Sequence, residues 1–159
     1  MRTAIYKAIA ARLENAGAGV QHVGLWNRDT DSLARQKAFR LPAVFVEFEP
    51  LQWTRLAAGA RSADLRVRLH VVNDLLASDG DKYQDKALQR LDLVERVSAA
   101  VQGLSGDGFN TFMPVESVTD HDHDRVTRDE EAFVTRVTDT SAVPPRHAAT
   151  GVNLALETS

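Results

Sequence analysis

The stretch from Ala63 to Asn73 constrains the fold more than any other part of the chain. Leu65, Val67, Leu69 and Val71 alternate there with Asp64, Arg66, Arg68 and His70. Side chains along a strand point to opposite faces in turn, so this strict alternation predicts a strand with one dry face and one wet face. Upstream, Val44, Val46 and Phe48 alternate with Phe45, Glu47 and Glu49 in a run rich in β-branched and aromatic residues. Small residues dominate 56–62 between the two runs and read as a turn. Together they predict a long β-hairpin over 43–73. Pro50 cannot donate to a ladder, so the first arm is expected to bulge or to lie at a sheet edge there. Arg66 and Arg68 stand opposite Glu47 and Glu49 and offer cross-strand partners.

The flanking segments supply two helices and three more strands. Ile5, Ile9 and Leu13 recur every fourth residue, which predicts a helix from 3 to about 16 with Thr3 as its N-cap and Gly17 and Gly19 after its last turn. Residues 20–26 suit a short strand, and the polar stretch 27–40 suits a long loop with a turn of helix near 33–37. A second helix is expected from about 81 to 102, with Leu88, Leu91, Val94, Val97 and Val101 as its apolar stripe. Residues 109–119 and 132–139 are the last strand candidates, joined by Asp120-His121-Asp122-His123-Asp124 and an acid-rich turn. The order helix, strand, hairpin, helix, two strands predicts an α+β fold, an antiparallel sheet with both helices packed on one face. Residues 1–141 are expected to form a single α+β domain and 142–159 a C-terminal tail or arm. In that tail, Pro144-Pro145 forbids helix, while Val152, Leu154 and Leu156 alternate with Asn153, Ala155 and Glu157. So short a strand holds only when it joins an existing sheet edge.

Composition removes several function classes. The absence of cysteine excludes disulfide scaffolds, thiol enzymes, zinc ribbons and iron–sulfur sites. With 19 Lys+Arg against 22 Asp+Glu, the net charge of -3 argues against a duplex-coating nucleic-acid binder. No apolar run approaches the ~20 residues needed to span a bilayer, and the first residues lack the apolar core of a signal peptide. The expectation is a soluble protein of a reducing cytoplasm, with neither a membrane nor a specific nucleic acid as partner. Neither a nucleophile elbow nor a phosphate loop is present. Glu47 and Glu49 lie ~7 Å apart along one strand face, a spacing open to acid–base work, but the arginines opposite favour a salt-laced surface. The Asp-His-Asp-His-Asp run has donors that suit zinc, nickel or manganese. In a strand its two histidines would face away from the three aspartates, so it reads as a solvated turn. No catalytic residue, cofactor or metal is expected.

The hairpin's far end carries Leu51 and Trp53, an apolar cluster on a projecting element. With Arg55, Arg66 and Arg68 it is the expected surface for self-association. Charge supports such pairing: from Arg28 to Arg68 there are eight basic and five acidic residues, and from Ser105 to Glu131 eight acidic and two basic.

The runs "LPAVFVEFEPLQWTRLAAGARSADLRVRLHVVND" and "FVTRVTDTSA", placed in this order of elements, resemble the tail-completion and tail-terminator proteins of long-tailed bacteriophages and prophages. The resemblance covers about residues 3–141. It implies a small α+β subunit that closes the tail tube at the head–tail junction as a hexameric ring. Its partners would be copies of itself and the tail-tube and head-connector proteins, and its place the virion tail, after assembly in the cytoplasm of a bacterial host. The family has no active site to carry over. The Asp120–Asp124 turn and the C-terminal tail lie outside the resemblance. Two other readings are a small metal-dependent or ligand-binding protein with a site near Asp120–Asp124 and His70 or His22, and an adaptor that recruits one partner through the hairpin. Particle mass separates the ring from both.

Overall fold

The computed structural model describes residues 1–26, 39–74, 82–120 and 126–144. In chain order these form α1 (Arg2–Asn15), β1 (His22–Leu25), β2 (Ala43–Phe48), β3 (Thr54–Arg55), β4 (Arg61–Asp74), α2 (Lys82–Val101), β5 (Met113–Asp120) and β6 (Val126–Asp139). The sheet order is β1-β2-β4-β6-β5, with β3 on β4 at the hairpin tip. The hairpin forms as expected, Ala43 pairing with Val72 and Phe48 with Val67. It is not free-standing, because β4 pairs with β6 along its whole length, from Arg61↔Asp139 to Asp74↔Val126.

The α+β class is as the sequence predicts, with two departures in the sheet. The first is that β1 runs parallel to β2, His22 opposite Ala43, so the sheet is mixed rather than antiparallel. A parallel neighbour needs a crossover of about a dozen residues or more, and the polar stretch before β2 is that long. The second is that β6 begins at Val126, so Asp129, Glu130 and Glu131 belong to a strand and not to an acid-rich turn. The expected turn of helix near 33–37 and the His121–Asp124 part of the acidic run lie outside the described residues.

Both helices cover one face. Ile5, Ile9 and Leu13 of α1 and Leu93, Val97, Ala100 and Val101 of α2 bury against Val44, Val46, Leu65, Val67, Leu69, Val71 and Phe133. Helix α1 begins at Arg2 with Met1 as its cap, so Thr3 sits in the first turn and caps nothing. On α2 the buried stripe is rotated from the expected one. Leu88 and Leu91 are exposed while Leu93 is buried. The cause lies on the sheet below: Arg90 reaches down to Asp129, and residues about 100° apart around a helix cannot all face inward.

Around Pro50 the first hairpin arm leaves the ladder after Phe48 and rejoins it at Thr54. The tip turns through a short 3-10 segment at Ala57–Gly59. Gly59 has φ +86, and a Cβ there would lie 2.9 Å from the Ala142 carbonyl oxygen, so both backbone and space demand glycine. The chain leaving β6 therefore passes directly under the tip.

Candidate functional site

The helix-free face of the sheet gathers most of the residues singled out from sequence. Alternation along β2, β4 and β6 brings Glu47, Arg66, Arg68, His70, Arg128 and Glu130 to one side, and Glu49 and Glu116 join them. Arg68 sits at the centre. Its Nη1 donates to Glu130 at 2.7 Å, and its Nε and Nη2 donate to Glu49 at 3.2 and 3.0 Å. Its Nη2 lies 3.3 Å from Glu116 as well. Arg66 pairs with Glu49 at 3.2 Å and also with Glu116. Burial works against the Arg68 charge, but the hydrogen bonds and charges of Glu130 and Glu49 outweigh it and hold its pKa above the ordinary arginine value. The result is a lattice of shared ion pairs across four strands, the salt-laced reading of Glu47 and Glu49. Arg68 is opposite Glu47 in register yet bonds to Glu49, because Glu47 turns to His70.

His70 is the residue whose environment the alternation does not reveal. Its position predicts a wet side chain, yet it is buried. The Trp26 ring stacks on it with centroids 3.7 Å apart and planes 12° from parallel. Its Nε2 is 2.8 Å from Glu47, and its Nδ1 is 3.4 Å from Glu130. Burial pushes the His70 pKa down, against the pull of Glu47 and Glu130, and Arg128 adds to the lowering. Beside it, His22 stacks on Phe39 at 5.5 Å, and Phe45 completes a small aromatic cluster. A signal for this existed in "HVGLW": Trp26 is a large apolar residue at a strand end that needs a flat surface to cover.

The hairpin tip is a separate region. Leu51 and Trp53 are half-buried and pack against the molecule's own core, and the Arg61 guanidinium lies 4.4 Å above the Trp53 ring. Arg61 also donates to Asp139 at 2.9 and 2.8 Å. The Ser141 amide, with Arg61, lowers the Asp139 pKa to about 2. Arg55 is exposed at the tip and has no ion pair among the described residues. Of the five expected interface residues, then, Arg66 and Arg68 lie together on the helix-free face, while Leu51, Trp53 and Arg55 lie toward the tip.

On the helix-covered side, sequence reasoning missed a polar seam. Asp129 is buried and accepts two hydrogen bonds from Arg90, both at 2.7 Å, and one from Thr119 at 2.8 Å. Glu131, also buried, accepts from Ser98 at 3.0 Å and from Ser117 at 2.9 Å. These bonds tie α2 to β5 and β6. Among the described residues, no group of three or more His, Cys, Asp or Glu side chains is arranged to hold a metal ion, and no helix is long and apolar enough to cross a membrane.

No family model and no curated protein matches the sequence. Among solved structures, the fold is similar to that of a chain in the virion of a native gene transfer agent particle. That match has a TM-score of 0.53 and 13% sequence identity, and it covers 84% of this chain and 94% of the other. At such identity the likeness establishes a common fold.

Proposed function

We propose that this chain is a structural subunit of a phage-like particle, and that copies of it form a ring closing the tail tube at the head–tail junction. The observation that carries the proposal is the fold shared, over most of both chains, with a component of a virion particle. The finer role comes from the resemblance of the hairpin and of the β6 sequence to tail-terminator proteins. In this reading the partners are further copies of the chain, in a hexamer, together with tail-tube and head-connector proteins. The chain acts by shape and contact rather than by catalysis. The helix-free face supports that part of the reading, since Glu47, Glu49, Glu116 and Glu130 are each held by an arginine or by His70.

Light scattering and negative-stain imaging of the purified chain test the ring. Discrete particles of several subunits are expected, and a monomer at every concentration would overturn it. Arg55→Glu is the informative variant, because Arg55 is exposed. It should lower particle mass while leaving the melting temperature and circular dichroism unchanged. Trp53→Ala is less clean, since Trp53 also packs on the core and under Arg61.

A further inference from the structure

We infer that the hairpin tip of one copy docks on the outward face of α2 of a second copy, with Arg55 and Arg61 facing Glu95 and Asp92 and the exposed leucines of the two patches meeting between them. The inference deepens the self-association reading above and rests on it. Both surfaces lie within the described residues, and three observations lead to it.

The first is an uncompensated cation at the tip. Arg55 and Arg61 are direct partners in the β3–β4 ladder, so two like charges stand side by side on one face. Asp139, the partner of Arg61 across the other side of β4, answers Arg61 alone. Its Oδ2 accepts from the Arg61 Nε and Nη2, and its Oδ1 accepts from the Ser141 amide. Arg55 is left exposed, without an ion pair among the described residues. The two arginines line a cleft of about 470 Å³ together with Leu56, which is 45% exposed. The tip therefore surrounds an apolar side chain with positive charge and lacks one carboxylate.

The second is the outward face of α2, which has the same make-up with the opposite sign. Leu88 is followed by Leu91, Asp92 and Glu95 at three, four and seven residues, the spacing of one helix face. The buried Leu93, Val97 and Val101 take the opposite face. Leu88 and Leu91 are each 52% exposed, and Asp92 and Glu95 are exposed and in no ion pair among the described residues. The nearby cations are turned elsewhere, Arg96 to the Ala18 carbonyl and Arg90 to Asp129. Exposed apolar side chains rimmed by charge mark contact surfaces, and opposite potentials select which two surfaces meet.

The third is the distance between the patches within one chain. Helix α2 stands over β6 at Asp129 and Glu131, through Arg90 and Ser98, whereas the tip is level with Asp139. The strand from Glu131 to Asp139 covers about 26 Å at ~3.3 Å per residue. Each patch must therefore find its complement on another copy. Two different patches that pair in turn make a head-to-tail contact, the kind whose repetition closes a ring.

Charge exchange tests the pairing. In full-length chains, Arg55→Glu and Glu95→Arg should each drop the particle mass to that of a monomer at a concentration where the wild type is assembled, with circular dichroism and melting temperature unchanged. The chain that carries both substitutions restores the attraction with its signs exchanged, and it should return to the wild-type mass. Contact itself is read by cross-linking, since the chain has no native cysteine. Leu56→Cys chains are co-expressed with chains of different mass that carry Leu88→Cys or Leu91→Cys, and treated with a short bifunctional thiol reagent. A mixed-mass dimer is expected for at least one of the two. Assembly that survives both single reversals, a doubly reversed chain that stays monomeric, or the absence of a mixed dimer at both positions overturns the tip-to-helix contact while wild-type particles keep the ring intact. A wild-type chain that is monomeric at every concentration overturns the ring reading and the contact together.

Discussion

On the helix-covered side of β6, Asp129 and Glu131 each have a small and fixed set of partners. Asp129 is held by one arginine and one threonine, and Glu131 by two serines. On the other side of the same strand, Glu130 is shared by Arg68, Arg128 and His70. The strand alternates between the two regimes residue by residue. The difference concerns redundancy. A dedicated buried pair fails entirely when one member is removed, whereas in a shared lattice the orphaned charge still has a second partner.

The comparison can be scaled against the apolar core that surrounds the buried pair. Phe133 has no exposed surface and packs edge-to-face with Phe112, their ring centroids 6.2 Å apart. Phe133→Ala should cost about 4 kcal/mol in denaturant unfolding, because it empties a fully buried aromatic site in the core. Asp129→Ala should cost about 3 kcal/mol, since Arg90 is left charged and mostly covered. In Arg68→Met, Arg66 still holds Glu49 and Arg128 still holds Glu130, so the loss should be about 1 kcal/mol. Equal losses for Asp129→Ala and Arg68→Met would break the distinction between the two faces.

A pH titration sharpens it on the lattice side. His70 has a folded pKa below its unfolded value, so the unfolded chain takes up the proton first as pH falls. Its contribution is therefore fully present above the unfolded value of about 6.5 and is lost as pH drops from there through the folded value. His70→Gln should flatten the stability slope between about pH 7.5 and about pH 5.5 relative to wild type. It should also change the Trp26 fluorescence, since the two rings are stacked. An unchanged slope would mean that the two carboxylates beside His70 cancel its burial.

Much of the architecture is legible in the chain because periodicity is a local property. The alternation in 64–71 assigns every β4 side chain to its face, and the spacing of Ile5, Ile9 and Leu13 assigns the inner side of α1. The hairpin, its break near Pro50 and its small-residue turn follow from the same local rules. The candidate surface is legible only in part: Arg66 and Arg68 are placed correctly on the wet face, but their partners Glu116 and Glu130 come from strands far away in sequence.

What the sequence alone determined is which side chains share a face and where the chain turns, because backbone geometry fixes both within a few residues. Tertiary structure decided what covers each face. It buried His70 under Trp26, made Asp129–Glu131 a strand, and rotated α2 so that Arg90 turns inward and Leu88 and Leu91 turn out. An acidic residue becomes tolerable inside a fold only when a distant arginine or serine arrives to satisfy it, and no local pattern records that arrival.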